Sequence, residues 1–212
     1  MEPLSGDGTA PEAAQPPVDL GECEALILSP EERKALVEEA LEHKAQGNAE
    51  FKNQNYDDAL ASYLEAIAIC PEDELADRAV FHANIAACHV QTKEYSKAVA
   101  SCTEALNCKP DYQKALVRRA AANEKIGSWS SLTDSLADYK AIAAADPSNR
   151  EAAALVKSLP KRIEVQQEKE KAEMMGKLKD LGNSFLGNFG LSLDSFQMKQ
   201  DGSGGYSLNM KK

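Results

Sequence analysis

Five residues carry the chemistry most readily read from this chain: Lys44, Asn48, Asn84, Lys114 and Arg118. Lys44 and Asn48 are four apart, as are Lys114 and Arg118, so on a helix each pair shares one face. A guanidinium grips a carboxylate through two parallel N–H donors, and an ammonium serves as a point charge. Asparagine amides can donate the remaining hydrogen bonds. The set therefore suits the holding of carboxylates, provided that the fold brings it together. Lysine and arginine on a helix are usually just solvated and say little alone. The two asparagines say more, because Asn is a poor helix former and gains nothing in a helix interior without a partner.

No other constellation competes. His82 and His89 lie seven apart with Cys88 between them, whereas metal ligands on a helix usually sit three or four apart. His43 is expected to face solvent beside the Lys44 face. Cys88, Cys102 and Cys108 have no His/Asp partner pattern and are expected to be small core fillers rather than nucleophiles. Gly182-Asn183-Ser184-Phe185-Leu186-Gly187 lacks the Lys-Ser/Thr ending of a phosphate loop. No catalytic set is visible, so neither an enzyme nor a cofactor or metal is expected.

The elements that must position the five residues follow from composition and spacing. The chain has 212 residues, 34 acids and 24 Lys+Arg, and a formal net charge of −10. Residues 1–32 hold eight of those acids and no Lys or Arg, leaving 26 acids against 24 bases in the rest. A nearly neutral body is a poor nucleic-acid binder, which needs a basic field. No apolar run is long enough to insert in a membrane, and no signal peptide opens the sequence. Five cysteines without a C-x-x-C pair suggest reduced thiols, hence a cytoplasmic or nuclear setting.

Residues 1–28, with Pro3, Pro11, Pro16 and Pro17 among Gly, Ala and acids, are expected to be a disordered acidic tail. Ser29-Pro30-Glu31-Glu32 supplies a capping box and a first-turn proline, opening a long helix to about Asn53. A self-similarity follows. Tyr56, Ala59, Ala66 and Pro71 recur 39 residues later as Tyr95, Ala98, Ala105 and Pro110, with Cys102 at the place of Tyr63. Trp129 lies 34 residues beyond Tyr95, and Pro147 closes a third unit. Periods of this length mean a repeat array in which each unit buries its face against its neighbours. Each unit shows helical spacing twice, as in Ala59/Tyr63/Ala66/Ile67, with small alanines where two helices approach closely.

The first unit, Gly47-Asn48-x-x-Phe51-Lys52-x-x-x-Tyr56-x-x-Ala59-x-x-x-Tyr63-x-x-Ala66-Ile67-x-x-x-Pro71, resembles the tetratricopeptide repeat family. The second has Ala86 where that family prefers Gly, and about five extra residues around Glu72–Val80 that should lengthen its first helix. The third carries about three extra residues near Ser130–Ser135. The resemblance implies an all-α, three-repeat array over residues 29–158, with units at about 38–71, 79–110 and 113–147 and a capping helix. It implies a core position for Trp129. Pro160 is expected to end the capping helix, with a separate mixed-charge helix over 160–181 and a glycine-rich extension over 182–212. In that extension, Phe196/Met198 and Tyr206/Leu208/Met210 alternate around residues 201–205, a weak hairpin signal, and Leu181–Phe196 is expected to dock partly on the array. The tail from Gly176 is similar to the C-terminal extension of the tetratricopeptide repeat protein 1 group.

In tetratricopeptide arrays the first helices of the repeats line a concave groove, and all five residues fall on first helices. They are similar to the dicarboxylate clamp of chaperone-binding members, including its Lys-x-x-Gly-Asn start and Lys-x-x-x-Arg pair. The resemblance therefore implies a cochaperone or adaptor that binds the C-terminal EEVD tail of heat-shock protein 70 and/or 90. A second protein partner, not identified by the sequence, would engage the tail, the 160–181 helix or the convex face. The competing reading is a scaffold that binds an unrelated acidic or helical segment of a signalling protein.

Overall fold

The computed structural model describes residues 28–188, 190–193, 196–200 and 206–210. Seven helices follow in order: α1 Pro30–Lys52, α2 Tyr56–Ile69, α3 Leu75–Gln91, α4 Tyr95–Cys108, α5 Gln113–Ile126, α6 Trp129–Ala145 and α7 Arg150–Gly187. An antiparallel hairpin, β1 Phe196–Gln200 and β2 Tyr206–Met210, comes after them. The helices pair as antiparallel hairpins α1/α2, α3/α4 and α5/α6, each stacked on the next, and α7 packs against α6. This is the expected helical solenoid. The expected acidic tail, apart from Leu28, lies outside the described residues, as does the segment between the two strands.

Local chemistry starts each element. The Ser29 hydroxyl accepts from the Glu32 N–H at 3.2 Å while the Glu32 carboxylate accepts from the Ser29 N–H at 2.9 Å. That reciprocal pair, with Pro30 in the first turn, satisfies donors that a helix start otherwise leaves orphaned. Arg78 donates to the carbonyls of Ile67 and Cys70 at 3.0 and 2.9 Å, closing the C-terminus of α2. The turn inside each repeat uses one left-handed residue at the same place: Gln54 (φ 65°), Lys93 (φ 63°) and Gly127 (φ 71°).

The core is built from alanines. Ala59, Ala66, Ala79, Ala86, Ala98, Ala105, Ala115 and Ala120 are fully buried, and between them sit Tyr63, Phe81, Ile142 and Leu159. Gly47 belongs to the same close contact. A Cβ there would come within 2.8 Å of the Tyr63 ring, so only glycine lets α2 approach α1. α3, with 17 residues against 14 in α5, absorbs the extra residues before the second repeat. α6 likewise absorbs those of the third, running unbroken for 17 residues.

Four expectations need correction. Pro160 does not end a helix: α7 runs through it for 38 residues, about 57 Å. Pro160 lies on the exposed side, where water can replace its missing donor. Leu159 buries against α6, and an Arg162–Glu124 ion pair holds the next turn. Trp129 is not a core residue but 42 % exposed, at the first position of α6. Leu181 and Phe185 do not dock on the array: they continue α7 and are exposed. His43 is half-buried rather than solvent-facing, with Nδ1 3.0 Å from Glu65 Oε2.

Candidate functional site

α1, α3 and α5 are the first helices of the three repeats, and the five candidate residues lie on them as expected. Two of the five are bonded to each other, and a third reaches the backbone beside them. The Asn84 amide donates to Asn48 Oδ1 at 3.3 Å, joining α3 to α1. The Arg118 guanidinium donates to the backbone carbonyl of Ala83, the residue before Asn84, joining α5 to α3. Lys44 and Lys114 stand one turn before Asn48 and Arg118 on the same faces. Neither ammonium has a hydrogen-bond or ion-pair partner among the described residues.

Asn48 is held from below by a residue that sequence reasoning placed in the core only. The Tyr63 hydroxyl donates to Asn48 Oδ1 at 2.8 Å, and the ring behind it presses on Gly47. With its oxygen occupied by Tyr63 and Asn84, Asn48 turns its NH₂ donors outward. Burial pushes the Tyr63 hydroxyl up to about 12, so it remains a donor across the neutral range. The tyrosine was visible as a repeat residue; its role in aiming Asn48 was not, because the contact spans two helices.

Beside Lys114 and Arg118 an open pocket of about 570 Å³ continues the site. Val117, Ala121, Ile142 and Ala145 give it an apolar lining, and Gln113, Asp146 and Asn149 a polar edge. Only the Lys114/Arg118 face of this pocket was marked in the sequence. An α5 periodicity of 114/117/118/121 is the signal that points to the rest.

The other candidates separate from this site. His89 is buried, with Nδ1 2.9 Å from Glu94 Oε2, and Lys97 holds the other carboxylate oxygen at 2.6 Å. Hydrogen bonds from Lys97 and His89 hold the Glu94 carboxyl below its ordinary range. No group of three or more potential metal ligands occurs among the described residues. Cys88 and Cys102 are buried and Cys108 is half-buried. Burial pushes the thiols of Cys88 and Cys102 up to about 11, which leaves them protonated and inert. No described helix is long and apolar enough to cross a membrane.

The stacked helical hairpins and the repeated small residues make a helical solenoid similar to tetratricopeptide-repeat domains. The family model for the tetratricopeptide repeat matches residues 40–73. The chain is 43 % identical over 90 residues to the mitochondrial import receptor subunit TOM70 of Saccharomyces cerevisiae, covering 42 % of this chain and 14 % of that protein. It thus spans about one seventh of the length of that relative. Among solved structures, the OM64 TPR domain of Arabidopsis aligns with a TM-score of 0.51 at 27 % identity, over 59 % of this chain and 98 % of that one. The first TPR of Spaghetti (RPAP3), bound to the HSP90 peptide SRMEEVD, aligns with a TM-score of 0.51 at 26 % identity, over 59 % and 95 %. The fold therefore resembles repeat domains that include one bound to an HSP90 peptide.

Proposed function

We propose that the face of α1, α3 and α5 is a carboxylate clamp for the C-terminal tails of heat-shock proteins 70 and 90, and that the protein acts as a cochaperone or adaptor in the cytoplasm or nucleus. The observation that carries this reading is the pair of bonds that join the three helices, Asn84 to Asn48 and Arg118 to the Ala83 carbonyl, flanked by two ammonium groups without partners among the described residues. The likeness to a repeat domain bound to SRMEEVD supports it. In this reading Lys44 and Asn48 receive the terminal carboxylate. Asn84 donates to the peptide beside it, and Lys114 and Arg118 hold an upstream acidic side chain. Arg118, tied to Ala83 by one N–H, keeps the rest of its fork for the ligand.

Each charge-assisted hydrogen bond contributes roughly 1.5–3 kcal/mol. The acidic chain as a whole gives such a ligand no long-range steering. Affinity is therefore expected on the order of micromolar. Calorimetric titration with a free-carboxylate EEVD peptide and its C-terminally amidated form tests the reading. Amidation removes the terminal charge and should weaken binding at least about tenfold. Lys114→Glu should abolish binding while the thermal unfolding curve stays in place. The clamp is falsified if the folded Lys114→Glu chain binds the free-carboxylate peptide as the unmodified chain does.

A further inference from the structure

The C-terminal half of α7 carries a second surface. The array accompanies α7 as far as Glu170, whose carboxylate accepts from the Trp129 N–H at 2.8 Å. From Lys171 to Leu181 every residue is exposed. On this segment Met174, Leu178, Leu181 and Phe185 are spaced 4-3-4, with Met175 beside them, and all five are between 59 and 70 % exposed. Beyond Gly187 the chain turns at Gly190 (φ 71°) and sets Leu193 against Gly182, where a Cβ would meet it at 2.7 Å. The Leu193 N–H donates to Asn183 Oδ1 at 2.7 Å and fixes the turn. Leu193 thereby becomes one wall of an apolar groove whose floor is Met175, Leu178, Leu181 and Phe185.

From this geometry we infer that the stripe is a self-association surface, on which α7 of a second copy of this chain lies antiparallel. The 4-3-4 spacing is that of alternating core positions in a two-helix seam. It reads the same in both directions. Turned antiparallel, Leu178 meets Leu181 of the second copy and Met174 meets Phe185 of the second copy, and the reciprocal pairs follow by symmetry. Charge favours the same occupant. Between 172 and 187, Glu173 and Asp180 balance Lys177 and Lys179, so two copies meet without net repulsion. An anionic membrane or an acidic partner would find no net attraction there. The area agrees as well: the five side chains from both copies bury on the order of 1,000 Å², the low end of a specific interface. The expected dimer is weak and concentration-dependent, and it leaves the groove of α1, α3 and α5 open.

Sedimentation equilibrium of the full chain across about 1–200 µM tests it, a range set by the micromolar affinity that such a small interface supports. A reversible monomer–dimer equilibrium is expected. The double substitution Leu178→Glu with Leu181→Glu should raise the dissociation constant by at least about 100-fold, because four carboxylates would be buried in the seam. Circular dichroism and the melting temperature of the array should not change. Orientation is read by mixing Lys177→Cys and Ser184→Cys chains under mild oxidation, the native cysteines giving the same background in each mixture. Antiparallel pairing favours the mixed disulfide over either like-with-like product. A chain that stays monomeric to the highest concentration, a double variant that still dimerises, or preferred Lys177→Cys self-coupling would each overturn the inference.

Discussion

Arg118 and Arg119 are consecutive residues of α5 and meet different fates. Arg118 lines the open pocket beside Lys114, touches one backbone carbonyl and keeps most of its donors open. Arg119 turns to the opposite side and is enclosed. Its Nε and Nη2 donate to the two oxygens of the buried Asp138 at 2.9 and 2.7 Å, and Nη1 donates to Thr103 at 3.2 Å. That fork ties α4, α5 and α6 together, and Asp138 raises the guanidinium further above its ordinary range. The lesson is that charge type says nothing about use. A guanidinium whose donors are spent inside the fold is architecture, and one whose donors are open is available to a ligand.

The largest expected effect sharpens this contrast. Arg119→Ala leaves the Asp138 carboxylate buried without its counter-charge and should cost about 3–5 kcal/mol of stability. Arg118→Lys should leave urea unfolding nearly unmoved while weakening an EEVD peptide severalfold, since the fork is lost and the charge kept. Equal loss of stability in both variants, read from denaturant midpoints, would break the distinction between the two faces.

A medium effect divides the two asparagines. Asn48→Ala removes the acceptor of the Tyr63 hydroxyl and should cost about 1–2 kcal/mol, despite the better helix propensity of alanine. Asn84→Ala removes only the 3.3 Å contact to Asn48, and stability should hold level or rise slightly. Peptide affinity should fall in both. Paired calorimetry and thermal melts check this, and a stabilised Asn48→Ala would show that the Tyr63 hydroxyl does not depend on it.

The smallest expected effect is one of pH, and it belongs to the structural side. Burial, followed by the Arg78 charge, holds His82 below the ordinary histidine range. The unfolded chain therefore binds a proton before the folded one does. Stability present above pH 6.5 should decline as pH falls through that value toward the lower folded pKa. His82→Gln should flatten this slope between pH 7.5 and 5.5 in urea titrations. An unchanged slope would place the titration elsewhere.

Sequence by itself determined what depends on neighbours along the chain. The capping box at Ser29, the 39-residue recurrence of Tyr56, Ala59, Ala66 and Pro71, and the two four-residue pairs on α1 and α5 were all legible. Helix faces and repeat units are local periodicities, and a buried alanine spacing admits few alternatives. The same locality explains the errors. Pro160 carries a strong local stop, and it is overridden by Leu159 packing on α6 and by Arg162 pairing with Glu124. Trp129 has the right spacing for a core residue, yet it begins α6 at the rim, where Tyr56 and Tyr95 are also only half-buried.

Only the tertiary structure decided that Arg119 spends its donors on Asp138 and Thr103, that Tyr63 aims Asn48, and that α7 leaves the array with an apolar stripe in the open. Each of these is a contact, or a missing contact, between elements far apart in the chain. No periodicity records such distances. They are set by how closely alanine-faced helices stack, and by where the stack ends.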